Sequence, residues 1–180
     1  MAKNIRFKIS SGLKNLIGRE LITDELIAIF ELVKNSFDAH ATTVTLTFEN
    51  LLDQKNSKIT IADNGKGMSY DDLINKWLFV AYSAKREGVE DSGEYRDKIN
   101  SKRLYAGAKG VGRFSCDRLG AKLNLVTFKD AKNPKIENIL VNWADFEEDA
   151  KKEFVDVDVQ HQTLQKNPHK MKHGTVLEIT

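Results

Sequence analysis

Residues 31–39 read Glu-Leu-Val-Lys-Asn-Ser-Phe-Asp-Ala, and this stretch decides how the rest of the chain is interpreted. Apolar residues around it recur at helical spacing and predict a helix from about Asp24 to Ala39. The predicted apolar stripe consists of Leu26, Ile29, Phe30, Val33 and Phe37. Glu31, Asn35 and Asp38 are spaced at i, i+4 and i+7, so they share a second face, roughly opposite the stripe.

This second face allows two interpretations. It can be the solvated side of an ordinary amphipathic helix. Alternatively, Asn35 offers a neutral amide oxygen that could complete the octahedral shell of Mg²⁺ beside phosphate oxygens. Glu31, one turn away, could accept a proton from a water molecule aimed at a γ-phosphate. Asp38 could tether a metal-bound water or a backbone amide.

A second segment, residues 63–68, reads Asp-Asn-Gly-Lys-Gly-Met after an apolar run that predicts a strand. A tight turn explains Gly65 and Gly67, but it does not explain an acid at the end of an apolar strand. The carboxylate of Asp63 could accept a hydrogen bond from the exocyclic amine of adenine. Gly67 would let a flat base approach the backbone, and Met68 could form a flexible apolar wall.

A third segment, residues 107–115, reads Gly-Ala-Lys-Gly-Val-Gly-Arg-Phe-Ser. Backbone N–H groups of a glycine loop that opens a helix favour an anion, and Lys109 could add a charge at a phosphate. The segment lacks the Gly-Lys-Ser/Thr ending of a P-loop and only approximates the dinucleotide-binding fingerprint. A flexible hinge is the alternative interpretation.

The remaining pattern predicts an α+β fold, because helices dominate the first half of the chain and strands the second. We predict strands over residues 43–49, 58–62, 122–128, 136–143, 154–160 and 175–179, and further helices over 69–80 and 111–119. Residues 83–106 show no sustained apolar period and predict a long loop or lid. At 180 residues we expect one domain spanning residues 1–180, with a lid region at 83–115.

The composition excludes several functional classes. The net charge is +2, which gives no footprint for nucleic acid, and no apolar run is long enough to span a membrane. Cys116 is the single cysteine, so no internal disulfide forms, a cytoplasmic location is expected, and the side chain is expected in the core. The four histidines lack the spacing of a zinc site. Trp77 and Trp143 are expected to contribute packing.

The three segments in this order, followed by Gly174-Thr175, resemble the GHKL ATPase superfamily, which includes DNA gyrase B, the ninety-kilodalton heat-shock chaperones, sensor histidine kinases and MutL. The resemblance extends from about residue 10 to residue 180. It implies a two-layer α/β sandwich, with a mixed, mostly antiparallel sheet covered by helices and a mobile lid. It also implies ATP and Mg²⁺ as ligands.

By this resemblance, Glu31 is the general base and Asn35 the Mg²⁺ ligand. Asp63 binds adenine, and Thr175 supports a water molecule beside it. The Ser83-Ala84-Lys85 run looks like a Ser/Thr-x-Lys segment of the MutL and chaperone branches. The residues that the resemblance places around the nucleotide are Asn35, Asp38, Asp63, Gly65, Gly67, Met68, Lys85, Gly107, Lys109, Gly110, Val111, Gly112, Arg113, Phe114 and Thr175.

The presence of Glu31 four residues before Asn35 resembles the hydrolytic branches more than the histidine kinases. We therefore expect Mg²⁺-dependent ATP hydrolysis that drives conformational change in a larger protein. Expected partners are ATP and ADP, a downstream domain of the same protein, and a second copy of the chain in an ATP-dependent homodimer. Two alternatives stay open: a histidine-kinase-like phosphotransfer domain, and an ATP-sensing interaction module with negligible turnover.

Overall fold

The computed structural model describes residues 8–53, 55–80, 112–149 and 151–180. Within these residues, one sheet contains β1 (Val44–Glu49), β2 (Lys58–Asp63), β3 (Lys122–Phe128), β4 (Ile136–Asn142), β5 (Gln160–Leu164) and β6 (Gly174–Ile179). The strand order is β1-β2-β6-β3-β4-β5, and every pairing between these strands is antiparallel. The predicted α+β class is therefore confirmed.

The helices of the described residues are short except for one. They are α1 (Leu13–Asn15), continued by a π-helical turn (Leu16–Glu20); α2 (Glu25–Asp38); α3 (Tyr70–Asp72), continued by a π-helical turn (Leu73–Trp77); and α4 (Ser115–Leu119), preceded by a 3₁₀ turn (Gly112–Phe114). Two further 3₁₀ turns cover Trp143–Phe146 and Phe154–Asp156. No helix of the described residues is long and apolar enough to cross a membrane.

Helices and sheet share one hydrophobic core. Alternate strand residues point to the same side of a sheet, and the register places Leu125 beside Ile139 and Leu177 on the side that meets the helices. The buried residues of this core are Ile17, Leu32, Ile61, Leu73, Phe114, Cys116, Leu123, Leu125, Ile139, Val141, Trp143, Phe146 and Ile179. The result is two layers, with α2 as the main element of the helical layer.

The orientation of α2 differs from the prediction. Its cap is as expected, because the side chain of Asp24 accepts a hydrogen bond of 2.7 Å from the N–H of Leu26. However, the residues that α2 buries are Ala28, Leu32, Ser36 and Asp38. Leu26 and Phe30 of the predicted apolar stripe are 75% and 64% exposed. The apolar stripe is therefore not the face that packs inward; that face is formed by Ala28, Leu32 and Ser36.

The predicted bounds of one strand and of one helix were also wrong. The predicted strand at 154–160 is a 3₁₀ turn followed by an irregular segment, and the strand β5 begins only at Gln160. β5 lies at the edge of the sheet, is largely exposed and is polar, so it carries no apolar alternation. The predicted helix at 69–80 starts at its capping box, Ser69 with Asp72, but ends at Trp77.

Candidate functional site

The turn after β2 is built around glycines that leave no room for a side chain. Gly67 has φ +61°, and a Cβ there would lie 2.0 Å from the carbonyl oxygen of Phe128. Gly174, at the start of β6, has φ +124°, and its Cβ would lie 1.9 Å from the carbonyl oxygen of Asp63. Glycine tolerates both the positive φ and the close approach. The backbones of the turn, β3 and β6 therefore touch directly beside Asp63.

Asp63 is the acid at the end of β2 and is 7% exposed. Its Oδ1 accepts a hydrogen bond of 2.8 Å from the N–H of Gly65, and its Oδ2 accepts one of 3.0 Å from the hydroxyl of Ser36. Burial raises the pKa of Asp63 above the ordinary aspartate value, although these hydrogen bonds and the nearby His173 oppose the rise. Because Ser36 belongs to α2, the acid is bonded to the helix that carries the predicted catalytic face.

Two threonines continue the site across the sheet. Asp63 on β2 pairs with Thr175 on β6, which pairs with Thr127 on β3. The Thr127 hydroxyl accepts a hydrogen bond from the N–H of Met68 and lies 3.0 Å from both the Gly174 carbonyl oxygen and Thr175 Oγ1. A hydroxyl carries one proton, so donation from Thr127 to Gly174 requires Thr175 to donate to Thr127. The Thr175 oxygen then remains available as an acceptor.

Two further side chains hold the turn in place. Asn64 Oδ1 accepts hydrogen bonds of 2.9 Å from the backbone N–H groups of both Thr42 and Thr43. His173 Nδ1 lies 2.7 Å from the carbonyl oxygen of Gly65, so this nitrogen carries the proton. These contacts fix the turn from the start of β1 on one side and from the start of β6 on the other.

On α2, the carboxylate of Glu31 is engaged by a neighbour. Its Oε1 lies 2.5 Å from Nζ of Lys34, one turn further along the helix. The side chains of Glu31 and Lys34 are 31% and 21% exposed. The second carboxylate oxygen has no partner among the hydrogen bonds of the described residues, so a water molecule can reach it.

Asn35 faces the end of the glycine loop. A Cβ on Gly112 would lie 3.1 Å from Nδ2 of Asn35, so the loop backbone approaches this amide closely. Within the described ranges, no cluster of three or more His, Cys, Asp or Glu could hold a metal ion. A neutral amide oxygen nevertheless fits Mg²⁺, which accepts one protein ligand and fills its octahedron with phosphate oxygens and water. Asp38 is 2% exposed and lies beneath this face of the helix.

Arg113 and Phe114 follow Gly112 and lie in different surroundings. The Arg113 guanidinium carbon is 5.9 Å from the centroid of the Trp77 ring, and burial lowers the pKa of Arg113 to about 10. Phe114 is 3% exposed, and its ring centroid lies 5.9 Å from that of Trp143 in the core. Arg113 therefore follows the residue that contacts Asn35 and lies against Trp77, whereas the side chain of Phe114 belongs to the core.

The predicted site is thus assembled in part. Glu31, Asn35, Asp38, Asp63, Gly65, Gly67, Met68, Gly112, Arg113 and Thr175 lie on α2, at the sheet end beside it, or at the start of the turn before α4. Lys85, Gly107, Lys109, Gly110 and Val111 lie outside the described residues, as does the predicted lid region at 83–115 apart from its last four residues. The functions of these residues stay predictions.

Comparison with protein families agrees with this geometry. The family described as "Histidine kinase-, DNA gyrase B-, and HSP90-like ATPase" matches residues 24–175, a range that includes α2, the Asp63 turn and Thr175. The chain belongs to this family. The family is the GHKL ATPase superfamily expected from the sequence, and the relatives fall in its chaperone and MutL branches.

Three relatives illustrate the likeness. The mitochondrial TNF receptor-associated protein 1 homolog of Dictyostelium discoideum is 27% identical over 63% of this chain and 17% of its own length. A chaperone protein HtpG of Buchnera aphidicola is 30% identical over 57% of this chain and 16% of its own length. The DNA mismatch repair protein MutL of Crocosphaera subtropica is 41% identical over 36% of this chain and 11% of its own length. The chain therefore matches less than a fifth of each of these proteins.

Four residues that hold Asp63 and its turn in place were not predicted from the sequence of this GHKL ATPase domain: Ser36, Asn64, Thr127 and His173. The signal for Ser36 was a small polar residue within the stretch 31–39, on the side of α2 that proved to be buried. Thr127 and His173 offered no local signal, since their partners in the turn lie 59 and 108 residues away in sequence, respectively.

Proposed function

We propose that this chain is an ATP-binding domain that hydrolyses ATP with Mg²⁺ and passes the resulting conformational change to a larger protein. The observation that carries the proposal is the hydrogen bond between Ser36 and the buried Asp63, because it joins the catalytic face of α2 to the acid in the turn. The proposal also draws on the family match over residues 24–175.

At the adenine end, Asp63 accepts a hydrogen bond from the exocyclic amine of the base. Its carboxylate is already oriented by Gly65 and Ser36, so little ordering is required on binding. Thr175 holds a bridging water molecule, and Met68 packs against one side of the ring. Gly67 keeps the turn backbone close enough for a flat base to fit.

At the phosphate end, Asn35 provides the protein ligand to Mg²⁺, which neutralises charge on the phosphate oxygens when it is bound. Glu31 orients a water molecule and accepts its proton as the water oxygen attacks the γ-phosphorus. The bond from the γ-phosphorus to the bridging oxygen breaks, which yields ADP and inorganic phosphate. The glycine loop from Gly107 to Gly112, with Lys109, surrounds the phosphates.

Two substitutions test the two ends separately. Asp63→Asn should abolish binding of Mg·ADP in a calorimetric titration. The amide replaces one of the two acceptor oxygens of the carboxylate with an NH₂ group, which cannot accept a hydrogen bond. Glu31→Ala should bind Mg·ATP as the wild type does but release no phosphate. Full turnover by Glu31→Ala would disprove the assignment of the base, and unchanged Mg·ADP affinity in Asp63→Asn would disprove the adenine site.

A second candidate is an ATP-sensing module with negligible turnover. The ion pair between Lys34 and Glu31 favours it, because one oxygen of the proposed base is occupied. Tight Mg·ATP binding without phosphate release by the wild type would support this candidate. In either case we propose a cytoplasmic protein in which this domain acts on further domains or on a second copy of itself.

A further inference from the structure

Arg113 is a shielded cation without an anion among the described residues. Its Nη1 is closed off from solvent and meets no hydrogen-bond acceptor there, and no carboxylate of the described residues pairs with the guanidinium. Buried donors are nearly always satisfied, and a shielded charge without a partner is costly. An unpaired nitrogen on a partly buried guanidinium, on the residue that follows Gly112, therefore leaves a donor for a ligand that supplies the acceptor.

The position of Arg113 limits what this ligand can be. Arg113 follows Gly112, whose backbone lies against the amide of Asn35, and consecutive Cα atoms are about 3.8 Å apart. The backbone of Arg113 thus lies next to the proposed Mg²⁺ ligand rather than at the Asp63 end of the site. With a pKa of about 10, the group remains a cation at neutral pH.

Trp77 supports the guanidinium from one side. The Arg113 guanidinium carbon lies 5.9 Å from the centroid of the Trp77 ring, within the range of a cation–π contact. An aromatic ring beneath the guanidinium plane leaves the N–H groups at its edge free to point at an acceptor. The planar fork of arginine matches two oxygens of a phosphate, a geometry that lysine does not provide.

We propose that Arg113, held against Trp77, is a side-chain receptor for a phosphate group of the bound nucleotide. The inference rests on the proposed function of the site, and it adds Trp77 and a specific role for the side chain of Arg113. Trp77, which the sequence analysis assigned to packing, becomes a positioning residue, and Arg113 binds through its side chain as well as through the loop backbone.

The test compares a nucleotide with its phosphate-free counterpart. Arg113→Met should weaken Mg·ADP about 10- to 100-fold in a calorimetric titration, as expected for the loss of a charge-assisted hydrogen bond. The same variant should bind adenosine as the wild type does, since the base is held by Asp63. The affinity of Arg113→Lys for Mg·ADP should lie between that of the wild type and that of Arg113→Met.

Arg118→Met is the matched control, because it removes the same charge from a neighbouring, partly buried arginine whose guanidinium pairs with Glu25 at 2.7 Å. It should leave both affinities unchanged. Unchanged Mg·ADP affinity in Arg113→Met, or equal losses for adenosine and Mg·ADP, would overturn the proposal. A wild type that binds neither ligand would instead contradict the proposed function.

An NMR experiment tests the contact between Arg113 and Trp77 with a ligand that carries phosphate but no base. Pyrophosphate should shift the NMR signals of the Arg113 Nε–H and of the Trp77 indole in the wild type. In Trp77→Leu the Arg113 response should be weaker, while adenosine affinity stays the same. Absence of any response to pyrophosphate in these two signals would also overturn the proposal, whatever the result for the nucleotide.

Discussion

Asp63 combines two properties that conflict: it is shielded from solvent, and its proposed function, binding adenine, requires the charged form. Two hydrogen bonds to the carboxylate reduce the conflict, but burial still raises its pKa. The ionised form accepts from the exocyclic amine of adenine, and the protonated form has lost one acceptor. The charge state of one residue therefore controls affinity for the base.

The first prediction concerns pH. Adenosine affinity should fall on acidification, and the fall should begin above the ordinary pKa of aspartate because the pKa of Asp63 is raised. The free energy of unfolding of the ligand-free domain should change in the opposite direction. Because ionising a buried acid is unfavourable, Asp63 contributes more stability as the pH decreases. Calorimetric titrations with adenosine, which has no phosphate to titrate, measure the first effect. A flat affinity down to the acid unfolding transition would contradict it.

A second prediction at the residue scale concerns Lys34. Lys34→Gln should release the Oε1 oxygen of Glu31 and raise the rate of phosphate release about two-fold, since a partly exposed pair on one helix contributes about 0.5 kcal/mol. Mg·ADP affinity should not change. Lys34→Arg, which keeps the pair, serves as the control. A lower rate in Lys34→Gln would mean that the lysine assists hydrolysis.

At the element scale, α1 and α4 are joined by a buried ion network. Lys14 and Asp117 are both fully buried, with Nζ 3.2 Å from Oδ1, and the same Nζ lies 2.5 Å from Glu147. Arg19 also contacts both acids. Since α4 follows the end of the glycine loop, this network fixes the helix at which the loop ends.

The third prediction follows from this network. Lys14→Met should lower the free energy of unfolding by about 3 to 5 kcal/mol, because it leaves Asp117 charged and buried with only the longer contact to Arg19. The double variant Lys14→Met/Asp117→Leu should recover most of the loss. Urea denaturation measures both. Lys8→Met, at an exposed pair with Glu153, is the control and should change little.

The elements also show what the sequence could and could not predict. Spacing alone places Glu31 and Asn35 on one face of a helix, and the apolar run before Asp63 places this acid at the end of a strand. The functions of these residues stay predictions. The apolar stripe of α2 did not indicate which face packs inward, since the buried face combines Ala28 and Leu32 with Ser36, whose hydroxyl donates a hydrogen bond to Asp63 of the sheet. β5 was missed because an edge strand needs no apolar alternation.

At the scale of the whole molecule, a ligand bound between α2 and the sheet stabilises both layers together. Mg·ADP at about 100 times its Kd should add about 2.7 kcal/mol and raise the Tm by roughly 5 to 10 °C. Thermal unfolding followed by circular dichroism measures the shift. Asp63→Asn should show none, and an equal shift in that variant would mean that the nucleotide binds elsewhere.

β6 follows the other five strands in the chain, yet it lies third in the sheet, between β2 and β3. During synthesis, the β1–β2 pair and the β3–β4–β5 group can each form first, but they have no contact through the sheet until β6 enters between them. Asp63 belongs to the first group and Thr127 to the second, and Thr175 joins them. A nascent chain therefore completes the proposed adenine site only when β6 has left the ribosome, so the nucleotide cannot assist earlier steps of folding.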